Sequence, residues 1–312
     1  MLRSALLYLS NQPQIFRFVR NNALAKGFAN RFVAGETLET ALAAVARLNA
    51  RGITASLDLL GESVHNEAEA RAAGQAYLTM LDRIYEQKAD ANVSVKLTAM
   101  GLDVSEELCI AITHDILQRA SEYRTFVRID MEGSDYTQRT FDLFEQRLYP
   151  NYRENVGIVL QSYLYRTYAD VERANMLKAR VRICKGAYKE PETVAYPAKK
   201  DVDENYTKCM HTLMEFGNYP GIATHDEAIV AEAKRFAKEK RIANNRFEFQ
   251  MLYGVRRDLQ EELVREGYRM RVYVPFGTQW YPYLLRRLAE RPANVAFLTG
   301  NMLKEMVGGR RR

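Results

Sequence analysis

From about residue 53 the chain alternates two textures, short apolar runs and longer stretches of helical period. The runs cover residues 53–61, 92–101, 125–133, 156–164, 181–188, 221–226, 247–254 and 268–277, rich in Val, Ile, Leu and Tyr. Near-continuous apolar runs separated by helices predict parallel strands covered on both faces. Leu38, Leu42, Val45 and Leu48 form a helical stripe before the first run, with Gly52 where a terminating glycine belongs. Asp226 can cap a helix striped by Ile229, Ala233, Phe236 and Ala237, and Gly267 ends the helix before the last run. Eight such units in about 240 residues predict an α/β fold, a (βα)8 TIM-like barrel. A doubly wound open sheet is the structural rival, although it rarely needs eight regular repeats. With no Pro- or Ser-rich linker, residues 36–307 read as one barrel, preceded by a helical extension (1–35) and followed by a flexible basic tail (308–312).

In the extension, Phe16, Val19 and Ala23 mix with Arg17, Arg20 and Lys26, predicting one or two basic amphipathic helices. Packing on the barrel is the default; shallow attachment to a membrane surface is the functional alternative. The 312 residues and 47% apolar content suit one large domain. No apolar run approaches the roughly 20 residues that span a bilayer. Asn11, Gln12 and Pro13 cut short the first apolar patch, which argues against a secretory signal. Half of the net charge of +6 comes from Arg310, Arg311 and Arg312, ordinarily a solvated tail. No nucleic-acid recognition motif accompanies it. Cys109, Cys184 and Cys209 make no C-x-x-C pair, which points to a reducing, cytoplasmic setting without disulfides or thiolate zinc. Four histidines far apart in sequence offer no local metal signature.

Nearly every apolar run contains a polar or charged residue. Lys96, Asp130, Gln161, Arg182, Lys185, His225 and Gln250 are those residues, mostly late in their runs. A buried charge must be paired or face a ligand. Taken singly, each could be a strand-end residue reaching solvent or a partner neutralising a neighbour. Several in register at the C-terminal ends of barrel strands point instead to an active site. After the last run, Tyr283, Arg286, Arg287 and Glu290 fall on a helix starting near Pro282, with both guanidiniums able to flank one object. Two guanidiniums and an aromatic wall suit a small carboxylate.

SVKL around Lys96, RIDME around Asp130, VRICKGAY, ATHD, FQMLYG, VYVPFG and YLLRRLAE together resemble the proline dehydrogenase family, in order and over residues 50–298. The length is similar to that of bacterial single-function members. The resemblance implies a flavin-binding (βα)8 barrel that converts L-proline to 1-pyrroline-5-carboxylate and passes electrons to a membrane quinone. No G-x-G-x-x-G follows a strand, so FAD is implied by the resemblance alone.

By motif, Lys96, Arg286 and Arg287 would bind the substrate carboxylate. Tyr188, Ala187, Leu252, Tyr273 and Tyr283 would enclose the proline ring. Asp130, Arg182 and Tyr273 would be the catalytic group, Asp130 steadying the cation near substrate and Arg182 meeting the flavin near N5. Met131, Gln161, Lys185, Gly186, Ala187, Thr224, His225, Gln250 and Glu290 would complete the cofactor site, with Glu290 pairing the two arginines. Tyr273 implies proline over 4-hydroxyproline. The resemblance leaves open peripheral contact with the inner membrane face and with a 1-pyrroline-5-carboxylate dehydrogenase. A Schiff-base aldolase or lyase using Lys96 or Lys185 is the alternative on the same barrel.

Overall fold

The computed structural model describes residues 29–61 and 64–290, with side chains through residue 285. The helices expected before residue 29 and the tail expected at 308–312 lie outside the described residues. Helix α1 (Leu38–Asn49) leads into β1 (Thr54–Leu59), followed by α2 (Glu67–Glu86) and β2 (Ala91–Val95). The pattern continues with α3 (Glu106–Glu122), β3 (Val127–Ile129), α4 (Ser134–Leu143) and β4 (Val156–Gln161). Next come α5 (Thr167–Met176), β5 (Arg180–Cys184), α6 (Lys199–Phe216) and β6 (Gly221–Ala223). The last units are α7 (Glu227–Glu239), β7 (Glu248–Leu252), α8 (Arg257–Arg265), β8 (Met270–Phe276) and α9 (Trp280–Glu290). The strands pair in sequence order, all parallel, and β8 closes on β1. The expected (βα)8 barrel is therefore the fold.

Local chemistry fixes where helices begin. Asn66 Oδ1 accepts from Glu69 N at 2.9 Å, and Asp226 Oδ1 accepts from Ala228 N at 3.1 Å, each satisfying an N-terminal donor. Thr37 and Thr40 form a reciprocal cap at the start of α1. The strands are shorter than their apolar runs. β3 stops before Asp130 and β6 before Thr224, so these polar residues lie in loops at the strands' C-terminal ends.

Alternation along each strand divides the side chains between two environments. Leu57, Val93, Val95, Val127, Ile129, Ile158, Val181, Ile183, Phe249, Val272 and Val274 join the apolar layer packed with the helices. Burying each aliphatic side chain contributes roughly 1.5–3 kcal/mol. The opposite parity faces the barrel axis. Barrels of this kind usually fill the axis with branched aliphatics; here Ser56, Asp58, Ser94, Arg128, Arg182, Glu248 and Gln250 are all buried there. Among the described residues no helix is long and apolar enough to cross a membrane.

Candidate active site

Arg182 lies at the centre of the axial layer. From β5 its Nε donates to Gln250 Oε1 at 2.6 Å and its Nη1 to Asp130 Oδ1 at 2.8 Å. Its Nη2 lies 3.2 Å from Ser94 Oγ and 3.5 Å from Ser56 Oγ. One guanidinium thus meets residues from β1, β2 and β7 and the residue following β3, which is possible only across the axis. The Tyr273 ring lies 5.3 Å from its centre and adds a cation–π contact. Gly221 makes this geometry possible, because a Cβ there would sit 2.4 Å from Gln250 Nε2. Gln250 in turn donates to Glu248 Oε1 at 2.6 Å, so its amide orientation is fixed from both sides.

Two carboxylates lie toward the C-terminal end of the strands. Asp130 accepts from Arg182 on Oδ1 and from the Tyr273 hydroxyl on Oδ2, the latter at 2.8 Å, so both oxygens are engaged. Burial, and then the Asp130 and Asp58 charges, hold the Tyr273 phenol well above its ordinary range, so it remains a neutral donor. Lys96 donates to Asp58 Oδ1 at 2.8 Å, with both side chains buried. Burial pushes the Asp58 carboxyl up; Lys96 opposes that rise and the nearby Asp130 charge adds to it.

Around these, Gln161 donates from Nε2 to Met131 O at 3.2 Å. Its Oε1 is buried and has no hydrogen-bond partner among the described residues. Lys185 Nζ lies 2.6 Å from Asp203 Oδ1 and 2.8 Å from Asp226 Oδ2. Thr224 Oγ1 accepts from Asp226 N, and His225 Nε2 accepts the Leu252 backbone N–H at 2.9 Å. Gly186, Ala187 and Tyr188 follow β5 in a loop, with Gly186 directly against the Tyr163 ring. Glu190 anchors that loop. It accepts from Ser134 N at 2.9 Å and Tyr163 Oη at 3.1 Å, and from Ser134 Oγ. Tyr283 is buried on α9. Arg286, Arg287 and Glu290 occupy the end of that helix, and their side chains lie outside the described residues.

Lys96, Asp130, Arg182, Gln250 and Tyr273 are therefore brought into one buried region, while Lys185 belongs to a separate ion-paired rim. Sequence reasoning missed Asp58, Ser56, Ser94 and Glu248. Asp58 carried the same signal as Lys96, a charge inside the apolar run SLDLL. The two serines carried none, because hydroxyls are common in strands.

A family model described as proline dehydrogenase matches residues 41–300. Proline dehydrogenase 1 of Bacillus subtilis (strain 168) is 42% identical over 305 residues, covering 98% of this chain and 100% of that protein. Proline dehydrogenase of Deinococcus radiodurans is 41% identical over 307 residues, covering 97% of this chain and 98% of its own length. Among solved structures, proline utilization A (PutA) from Bdellovibrio bacteriovorus, inactivated by N-propargylglycine, superposes with a TM-score of 0.81 at 28% identity. That match covers 89% of this chain but 34% of the other, so the chain spans about a third of that longer protein.

Proposed function

The chain belongs to the proline dehydrogenase family and is thereby an oxidoreductase of proline catabolism; we propose that it oxidises L-proline to 1-pyrroline-5-carboxylate with FAD, its electrons passing on to a membrane quinone. The observation that carries this reading is the Arg182 guanidinium, buried on the axis and held by Asp130, Gln250 and Tyr273. The donor set fits a flavin. Gln161 Oε1 is a buried acceptor without a partner among the described residues, suited to a ring N–H. Arg182 supplies fixed positive charge. Met131, Gln161, Arg182, Lys185, Gly186, Ala187, Thr224, His225 and Gln250 would hold the cofactor, with Glu290 near its substrate side.

When bound, FAD would accept the hydride leaving proline. Lys96, Arg286 and Arg287 would grip the substrate carboxylate and so fix the ring in one orientation. Tyr188, Ala187, Leu252, Tyr273 and Tyr283 would wall the ring and exclude water. Asp130 keeps Arg182 and Tyr273 in place beforehand, so little reorganisation accompanies charge development. Tyr273 would crowd a ring hydroxyl and favour proline over 4-hydroxyproline. Turnover would rise with pH as the substrate ammonium loses its proton.

The Schiff-base alternative needs a free amine on Lys96 or Lys185. Both nitrogens are instead engaged by carboxylates, Lys96 by Asp58 and Lys185 by Asp203 and Asp226. The discriminating experiment is the visible spectrum of the purified protein. A bound flavin that bleaches when proline is added without oxygen is the expected result. A colourless protein that borohydride traps covalently with substrate at either lysine would overturn the reading.

A further inference from the structure

At the opposite pole of the barrel, the N-terminal ends of the strands surround a pocket of about 430 Å³. Asn92, Arg124, Phe126, Arg180 and Arg271 line it, with Asp90 and Glu154 exposed at its rim. Beneath it, Arg128 and Arg271 act on a single buried carboxylate, Glu248, while Arg180 lies beside the Phe126 and Tyr219 rings. That carboxylate is already committed. Its Oε1 accepts from Gln250 Nε2 at 2.6 Å and Arg271 Nε at 2.7 Å, and its Oε2 accepts from Tyr219 Oη at 3.1 Å.

Arg128, 4% exposed, spends Nη1 on the backbone oxygens of Ile158 (3.2 Å) and Arg180 (2.7 Å). The Arg180 guanidinium lies 5.2 Å from the Phe126 ring and 5.6 Å from the Tyr219 ring. Its Nε is buried without a hydrogen-bond partner among the described residues. Asn92, 7% exposed, faces the same space with an equally unpartnered Oδ1. Turned over, that amide offers two donors. No carboxylate pairs with Arg124, Arg128 or Arg180 among the described residues. A buried guanidinium N–H with no partner, as at Arg180 Nε, is costly unless an acceptor compensates it.

We propose that this pocket binds a small oxyanion, a carboxylate or phosphate group held by Arg180 from below and Arg124 at the mouth. Asn92 and Arg271 would complete its donors. The site lies at the end of the barrel remote from Asp58, Lys96 and Asp130, and the proposal stands apart from the reading of that region. Its effect would be on stability, because the ligand would tie β2, β5 and β8 together across the base.

The experiment is thermal unfolding of the full-length, as-purified protein in inorganic phosphate or succinate, against sodium chloride of equal ionic strength. The expected result is a saturable rise in Tm with phosphate or succinate that chloride does not give; the more effective of the two identifies the preferred group. Arg180→Gln should abolish the rise. Arg124→Gln, at an exposed position that does not threaten folding, should raise the half-saturating concentration about fivefold, the loss of roughly 1 kcal/mol. Proline oxidation in Arg124→Gln should be unaltered. No rise beyond that in chloride, or equal rises in wild type and Arg124→Gln, would overturn the proposal.

Discussion

Asp58 and Lys96 form an ion pair with little water around it, the Asp58 side chain being 1% and the Lys96 side chain 10% exposed. Burial raises the Asp58 carboxyl despite Lys96, so the folded protein takes up its proton more readily than the unfolded chain. This group alone therefore subtracts stability as pH rises from the unfolded carboxylate range toward the folded one. The pair is more costly to break than to keep. Asp58→Asn should remove the carboxylate to which Lys96 donates and cost about 3 kcal/mol, read from the urea midpoint at neutral pH. A loss below about 1 kcal/mol would mean that the pair contributes little. The individual residues were legible to different degrees. Lys96, Asp130, Gln161, Arg182 and Gln250 stood out as polar positions in apolar runs. Their partners did not, because which side chains meet across the axis depends on the stagger of all eight strands.

At the level of elements, the eight units were readable because each strand's helix-facing side chains are Ala, Val, Ile, Leu, Phe or Met, and the helices carry apolar stripes, some with side-chain caps such as Thr37 and Asp226. The ends were less so. The runs at 125–133 and 221–226 continue in composition past the point where β3 and β6 stop pairing. Composition also did not reveal how the loop after β5 is held. Tyr163 N donates to Lys185 O at 2.9 Å, Tyr196 N donates to Tyr163 O at 2.8 Å, and Glu190 reaches the first turn of α4. A carboxylate at a helix N-terminus is favoured by the exposed amides there. Glu190→Ala should release the loop while the barrel persists. Limited trypsin treatment should then cut at Lys189 much faster than in wild type, with the far-UV circular dichroism unchanged. Equal cutting rates would show that the backbone bonds alone hold the loop.

For the molecule as a whole, the charged axis makes stability depend on acid. Burial alone pushes the Glu248 carboxyl up, but Arg271, Gln250 and Arg128 together bring it below the usual carboxylate range. Its stabilising contribution is therefore complete above the unfolded glutamate value and is lost as pH falls toward the lower folded one. Glu248→Gln should flatten the acid side of the stability curve, measured as urea midpoints from neutral pH down to pH ~3. An unchanged slope would assign acid sensitivity to other carboxylates. Arg182 carries a different consequence, in time instead of equilibrium. Its partners lie 52, 68, 88 and 126 residues away along the chain, so no early segment can satisfy it. Until β7 joins β1, β2 and the end of β3 around it, the guanidinium lacks part of its hydrogen-bond set, so partly assembled barrels are penalised. Arg182→Met should consequently accelerate unfolding while leaving the refolding rate in stopped-flow experiments almost unchanged.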